Sequence, residues 1–309
     1  MNNLLKNSLN FNINGSYNGI FLQNEPLKDK TTFKIGGNAT YFAQPNDINS
    51  LIYLLTEAKQ NSVPVFILGG GSNLVVADEG IDKLVISTLG LDFCKHDSNF
   101  LTCGAGCTFE VITKYCIQNS VSGLENFAGL PGTTGGAVYM NARCYNVSIS
   151  NVLDSVKYID STDFSVKTYE FNENDWDYKK SPFQNTENIV IEVKFKVKRG
   201  KRDNIWDKTE SFIMDRQLKG HFKFPSAGSV FKNNRDFGKP SGQIIDEVGL
   251  RGISVGGAQV APWHGNFIIN NRNASAKDVK TLVKNIQQKV QEKTGFLLEC
   301  EIIFTDSIS

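Results

Sequence analysis

The sequence is poor in histidine, and its cysteines follow no pattern. Three His (96, 221, 264) and six Cys (94, 103, 107, 116, 144, 300) contain no C-x-x-C, which excludes a zinc site of clustered ligands and a disulfide framework. In a chain of this size such cysteines are expected to be reduced, buried thiols, and no metal is expected; Cys103 and Cys107 are the one close pair. Charge of one sign is also missing. Lys+Arg 33 against Asp+Glu 32 leaves +1, so no global field favours nucleic acid or an anionic membrane, and any anion must be bound locally. Long apolar runs are absent: residues 63–68 form one of the longest, far short of the 18 or so needed to cross a bilayer. The opening MNNLLKNSLNFNINGS has neither a basic start nor a continuous apolar core, so no secretory signal is expected and the chain is placed in the cytoplasm. Nucleotide fingerprints fail too. Gly69-x-Gly71 is followed by Leu74, and Gly104-x-Gly106 by Phe109, where a third glycine would stand; no G-x-x-x-x-G-K-[ST] occurs.

What is present is a chain of 309 residues, 40% hydrophobic, with 21 Phe: enough for a sizeable core and, at about 150 residues per domain, for two compact units, with one large or three small ones as alternatives. Residues 32–42 (TFKIGGNATYF) read as a strand or hairpin. Asn46 or Asp47 caps a helix whose stripe is Ile48, Leu51, Leu54, Leu55 and Ala58, and residues 63–68 (VPVFIL) form a buried strand entering Gly69-Gly70-Gly71-Ser72-Asn73. Residues 84–87 and 100–103 are further strands. Residues 108–118 are a helix capped by Thr108. Residues 123–142 (GLENFAGLPGTTGGAVYMNA), with five Gly and one Pro, read as a long structured loop. Residues 152–166 and 189–197 alternate as strands, 200–206 (GKRDNIW) is the linker candidate, 209–218 is helical and 225–234 is a small-residue loop. Ser275-x-x-Asp278 is a capping box for a helix with Val279, Leu282, Val283, Ile286 and Val290, stopped by Gly295. A final strand, 296–304, puts Glu299 and Glu301 on one face.

Two bare-backbone loops suggest one extended ligand gripped between them, since the 69–73 loop can wrap a pyrophosphate with N–H groups; ordinary tight turns are the plain alternative. Ser229, in Ser226-Ala227-Gly228-Ser229-Val230-Phe231-Lys232, is a poor acid unless Lys232 or Lys179 polarises it, and most such serines only turn the chain. Glu299 and Glu301 fit a solvated strand face as well as a catalytic pair, and Tyr178-Lys179-Lys180 fits an exposed basic patch. Gly252-Ile253-Ser254-Val255-Gly256 matches the G-x-S-x-G of hydrolases. No long strand precedes it, and His264 follows too soon to leave room for an acid.

In order, TFKIGG (32–37), ILGGGSNLV (67–75), residues 123–142, residues 178–183, AGSVFKN (227–233), GLRGISVGGAQV (249–260), NFIIN (266–270) and Leu298-Glu299-Cys300-Glu301 resemble the UDP-N-acetylenolpyruvoylglucosamine reductase family of peptidoglycan synthesis. The resemblance covers about residues 25–304. It implies an α+β fold: a two-part FAD-binding unit of the vanillyl-alcohol oxidase type (1–88, joined by the terminal strand 297–309, and 89–205) plus a smaller α+β substrate-binding domain (206–296). It implies FAD as cofactor and NADPH as hydride-donating cosubstrate. The implied substrate is UDP-N-acetylglucosamine enolpyruvyl ether, which the family reduces to UDP-N-acetylmuramate by hydride to C3 and a proton to C2. The implied cofactor contacts are Gly69, Gly70, Gly71, Ser72, Asn73, Gly129, Pro131, Gly132, Thr133, Gly135, Gly136 and Ala137. Ser229 is the implied proton donor and Glu301 the second catalytic residue. Lys179 stands where the family has an arginine, keeping the charge but losing the planar fork. Tyr178, Arg216, Lys219, Lys232 and Asn233 are implied substrate contacts.

Two more departures concern Arg143-Cys144 after Asn141-Ala142, where relatives carry small residues, and the three residues 185–187 between the Tyr178 segment and the next strand. That length leaves no room for a tyrosine-bearing lid, so the chain resembles the family's lidless branch. No membrane or nucleic-acid partner is implied, and a monomer is expected. Two rivals are an FAD-dependent carbohydrate oxidase or dehydrogenase and a non-catalytic sugar-nucleotide binding module.

Overall fold

The computed structural model describes residues 17–307, so the reading of the N-terminus as lacking a signal lies outside the described residues. The chain divides into two units: one comprises residues up to 23, 41–70 and 82–214, the other 24–40, 71–81 and 215 onward.

The first unit carries two sheets. One has strands β1 (Gly19–Pro26), β2 (Asn38–Pro45), β3 (Val65–Leu68) and β4 (Ile81–Ser87) in the order β1-β2-β4-β3, with helix α1 (Ile48–Gln60) between β2 and β3. β3 and β4 are parallel, Val65 opposite Leu84. Asp47 caps α1 by accepting the Ser50 N–H, and the expected stripe Leu51, Leu54, Leu55 and Ala58 is buried with Ala43, Leu84 and Ile86. The other sheet is antiparallel: β5 (Cys94–Asp97), β6 (Phe100–Gly104), β7 (Leu153–Ile159), β8 (Val166–Glu170) and β9 (Ile189–Lys196), in the order β8-β7-β9-β6-β5. The strand expected over 152–166 is thus two strands, because Asp160 and Asp163 accept backbone N–H groups of Thr162 and Ser165 and turn the chain. Helix α2 (Phe109–Asn119), capped by Thr108, supplies Phe109 and Ile112 to a second core.

Three expectations about loops are corrected. The stretch 123–142 contains helix α3 (Thr134–Tyr139), despite its Gly135-Gly136. The linker candidate 200–206 is mostly the start of helix α4 (Arg202–Leu218), a helix with too weak an apolar face to read by period. Within the loop expected over 225–234 lies β10 (Ser226–Ser229), paired with a strand far downstream.

The second unit holds β10, helix α5 (Ser241–Glu247), β11 (Ser254–Val255), β12 (Ala258–Val260), β13 (Phe267–Asn270) and helix α6 (Ala276–Thr294), with sheet order β10-β13-β12-β11. The capping box is formed: Ser275 accepts the Asp278 N–H, Asp278 accepts the Ser275 N–H, and Gly295 ends α6 at φ 77°. Val279, Leu282, Val283, Ile286 and Val290 pack with Phe33, Val260 and Ile268. No continuous strand runs over 296–304. The segment is extended, with a bridge at Cys300 and a short parallel pair of Ile303–Phe304 with Leu74–Val75, although burial alternates as expected, Leu298 and Ile302 inside and Leu297 and Glu299 outside. No helix among the described residues is long and apolar enough to cross a membrane.

Candidate active site

In the first unit the two glycine loops meet backbone to backbone. A Cβ on Gly70 would stand 2.6 Å from the Gly132 Cα, so Gly70 admits only hydrogen as a side chain, and one on Gly69 would stand 3.0 Å from the Thr133 hydroxyl oxygen, which would have to shift. Thr133 caps α3 by accepting the Gly136 N–H. The helix is held from below: Thr134 N–H donates to Cys107 O (2.9 Å), Gly135 N–H to Ala105 O (3.0 Å), and the Thr134 hydroxyl to Gly104 O (2.6 Å). Local propensity disfavours this helix, and hydrogen bonds to the turn after β6 form it. Gly69, Gly70, Gly132, Thr133 and Gly136 therefore form a cradle of bare backbone. Gly71, Ser72 and Asn73 belong to the second unit. There Gly71 (φ 60°) packs against Lys30 and Thr31, and the Asn73 side chain donates to Glu301 O at 3.0 Å.

Tyr178 and Lys179 are the central residues of a turn closed by Asp177 and Lys180, with Lys179 at φ 57°. The turn is fastened to the far end of α3. Asn141 donates to Asp177 O (2.9 Å), Ser181 to Tyr139 O (2.8 Å), and Gln184 to both Tyr139 O and Lys179 O. A six-residue helix is about 9 Å long, so the turn and the glycine cradle hang on opposite ends of one short rod. Arg143 is exposed on a hairpin in which Tyr145 and Asn146 have positive φ; Cys144 is buried.

In the second unit, Ser229 lies on β10 opposite Phe267, directly before a stretch tied on both sides. Val230 N–H donates to Asn266 O (2.9 Å), and Glu301 N–H donates to Val230 O (2.7 Å). Asn266, 4% exposed, closes a reciprocal pair: Phe231 N–H to its Oδ1 and its Nδ2 to Phe231 O, both 2.8 Å. The tertiary fold thus puts the Ser229 and Glu301 segments side by side. Lys232 N–H donates to Glu299 O, and the Lys232 ammonium pairs with the Glu299 carboxylate. Ser229 and Asn233 line a cavity of about 340 Å³ with Gln243, Arg251, Trp263 and His264. Asn233 Oδ1 also accepts the Ser241 N–H at the start of α5 (2.9 Å).

His264, which the sequence offers only as the ill-spaced histidine of the G-x-S-x-G match, lines this cavity. Burial holds its imidazole below the ordinary range, and burial, then Arg216, pushes His221 down to about 4. His264 Nδ1 accepts the Asn266 N–H (3.2 Å), which leaves the proton on Nε2. Arg216 is buried at the end of α4, and Lys219 pairs with Asp215. Ser254 of the G-x-S-x-G match is exposed on a two-residue strand.

Similarity to known proteins places the chain in the class of FAD-binding oxidoreductases. A family model described as "FAD binding domain" matches residues 39–166, and one described as "UDP-N-acetylenolpyruvoylglucosamine reductase, C-terminal domain" matches residues 220–305. The chain is 49% identical to a UDP-N-acetylenolpyruvoylglucosamine reductase of Treponema denticola (91% of this chain, 92% of that one) and 42% identical to one of Borreliella burgdorferi (91% and 93%). The crystal structure of the reductase of that name from Thermus caldophilus superposes with TM-score 0.76 at 32% identity, over 93% of this chain and 99% of that one. The chain belongs to the UDP-N-acetylenolpyruvoylglucosamine reductase family.

Proposed function

We propose that Ser229, Glu301 and Lys179 are the catalytic residues of an FAD-dependent reduction of UDP-N-acetylglucosamine enolpyruvyl ether to UDP-N-acetylmuramate. Bound FAD supplies the hydride delivered to C3 of the enolpyruvyl group, and NADPH replenishes it. Negative charge then builds at C2 and the adjoining carboxylate. The Lys179 ammonium stabilises the carboxylate as a point charge, where an arginine would grip it bidentately. Ser229 gives its hydroxyl proton to C2, and Glu301 acts at the carboxylate end. Tyr178, Arg216, Lys219, Lys232 and Asn233 bind the sugar nucleotide. Gly69, Gly70, Gly71, Ser72, Asn73, Gly129, Pro131, Gly132, Thr133, Gly135, Gly136 and Ala137 hold the FAD. The three-domain division, the lidless branch, a cytoplasmic location and a monomeric state belong to the same reading.

The observation that carries the assignment is the Val230 carbonyl taking the Glu301 N–H at 2.7 Å, because it binds the segment of one implied catalytic residue to that of the other beside a cavity. The test is anaerobic stopped-flow at the flavin band: one equivalent of NADPH, then the enolpyruvyl sugar nucleotide. Rapid reoxidation with stoichiometric UDP-N-acetylmuramate is expected. A flavin that stays reduced until oxygen enters would refute the substrate assignment and favour a carbohydrate oxidase.

A further inference from the structure

Three thiols converge in the first unit, and the reductase reaction uses none of them. Cys94 on edge strand β5 faces Cys103 on β6. Gly104 N–H donates to Phe93 O (2.9 Å), so Cys94 and Cys103 form the neighbouring non-hydrogen-bonded pair, the kind that brings side chains closest. The Cys94 sulfur lies 3.6 Å from that of Cys103 and 3.5 Å from that of Cys107. Cys107 also has two acceptors for its proton, Asp92 Oδ1 at 3.1 Å and Phe93 O at 2.9 Å. Cys103 and Cys107 are buried, whereas Cys94 is partly exposed.

We propose that Cys94 is a hydroperoxide-oxidation site whose sulfenic acid is captured by Cys107 to form a Cys94–Cys107 disulfide. In the first step the Cys94 sulfur attacks a peroxide oxygen. An S–O bond forms and the O–O bond breaks; sulfur loses two electrons and keeps one oxygen as S–OH, while the other oxygen leaves as hydroxide or alkoxide and takes a proton from solvent to become water or an alcohol. In the second step the Cys107 proton passes to Asp92 while its sulfur attacks Cys94. The S–S bond forms, the S–O bond breaks, and the departing hydroxide takes a proton to become water. Thiol donors around Cys94 favour its thiolate and hold it below the ordinary thiol range, and partial desolvation helps raise Asp92 to about 6, where it can accept a proton. Cys103 has no such acceptor among the contacts of this cluster. The bridge would form directly behind the flavin cradle, since Cys107 O accepts the first N–H of α3.

The test uses the full-length, FAD-loaded protein. After graded hydrogen peroxide and alkylation, trypsin cutting at Lys83, Lys95 and Lys114 puts Cys94 on one peptide and Cys103 with Cys107 on the next. Expected are loss of two of the six thiols, a linked pair of these peptides with fragments placing the bridge at Cys107, and recovery with dithiothreitol. Cys107→Ala should leave a Cys94 sulfenic acid that dimedone labels, and Cys94→Ala should abolish both products. On the unaltered protein, iodoacetamide near pH 7 should label Cys94 at least about tenfold faster than the half-buried Cys300, as its greater thiolate fraction requires. Equal labelling rates, a bridge at Cys103, or six thiols surviving peroxide would each overturn the proposal.

Discussion

Asn266→Ala isolates how the second unit holds Ser229 and Glu301. The Asn266 amide satisfies both the N–H and the C=O of Phe231, a residue only 1% exposed. Leaving two buried backbone groups bare costs about 1–3 kcal/mol apiece, part of which water recovers by entering the gap, so the loss should be about 2–4 kcal/mol. With a urea slope of about 2 kcal/mol/M, the midpoint should fall by about 1–2 M. Asn266→Asp keeps an acceptor for the N–H but turns a carboxylate toward the Phe231 carbonyl, so at neutral pH it should do no better than alanine. Both variants should slow flavin reoxidation by the enolpyruvyl substrate more than flavin reduction by NADPH, because the Val230 carbonyl that takes the Glu301 N–H adjoins the loosened peptide. Urea unfolding followed by tryptophan fluorescence, with half-reaction stopped-flow, checks this. A midpoint within about 0.3 M of the parent, which is under about 1 kcal/mol, together with parental reoxidation would refute the reasoning.

Ser229→Ala should leave reduction by NADPH intact while slowing product formation by about 10²–10⁴-fold, the usual worth of a positioned acid; equal loss in both half-reactions would count against its role. Gly70→Ala drives a methyl group into the Gly132 backbone, and an overpacking cost of about 1–3 kcal/mol predicts FAD affinity about 5- to 150-fold weaker by flavin fluorescence titration. Lys179→Met should cut reoxidation while Lys179→Arg preserves or raises it, since arginine restores the fork; a faster methionine variant would remove Lys179 from the mechanism. His221 is depressed to about 4 in the folded protein. The unfolded chain therefore takes up this proton first, and stability is lost as pH falls from about 6.5 toward 4, with nothing lost above that window. His221→Phe should flatten the fall in melting temperature over that interval, and an unchanged slope would rule this histidine out as its source.

Much of the fold was legible because it is local. Helices α1, α2 and α6 announce themselves by an Asp, Thr or Ser cap and a 3.6-residue apolar stripe, and the observed caps are Asp47, Thr108 and Ser275. The family motifs fall on the glycine cradle, on the Tyr178–Lys179 turn and on β10. Helix α3 was not legible, since Gly135 and Gly136 disfavour helix and the helix exists only through bonds to Ala105 and Cys107. Helix α4 was missed in its first turns for want of an apolar face, and the terminal segment forms no continuous strand because its partners lie on two separate stretches, Val230–Lys232 and Asn73–Val75.

The sequence by itself determined composition, caps, periods and the ordered strings that mark the family, all of which depend on near neighbours along the chain. The tertiary structure alone decided that Asn266 clamps Phe231, that the Glu301 segment lies beside that of Ser229, that His264 lines the cavity with Ser229, and that Cys94 meets Cys107. Each of these is a contact between residues distant in sequence, fixed by strand register and by buried backbone groups that must find partners; no local pattern encodes either.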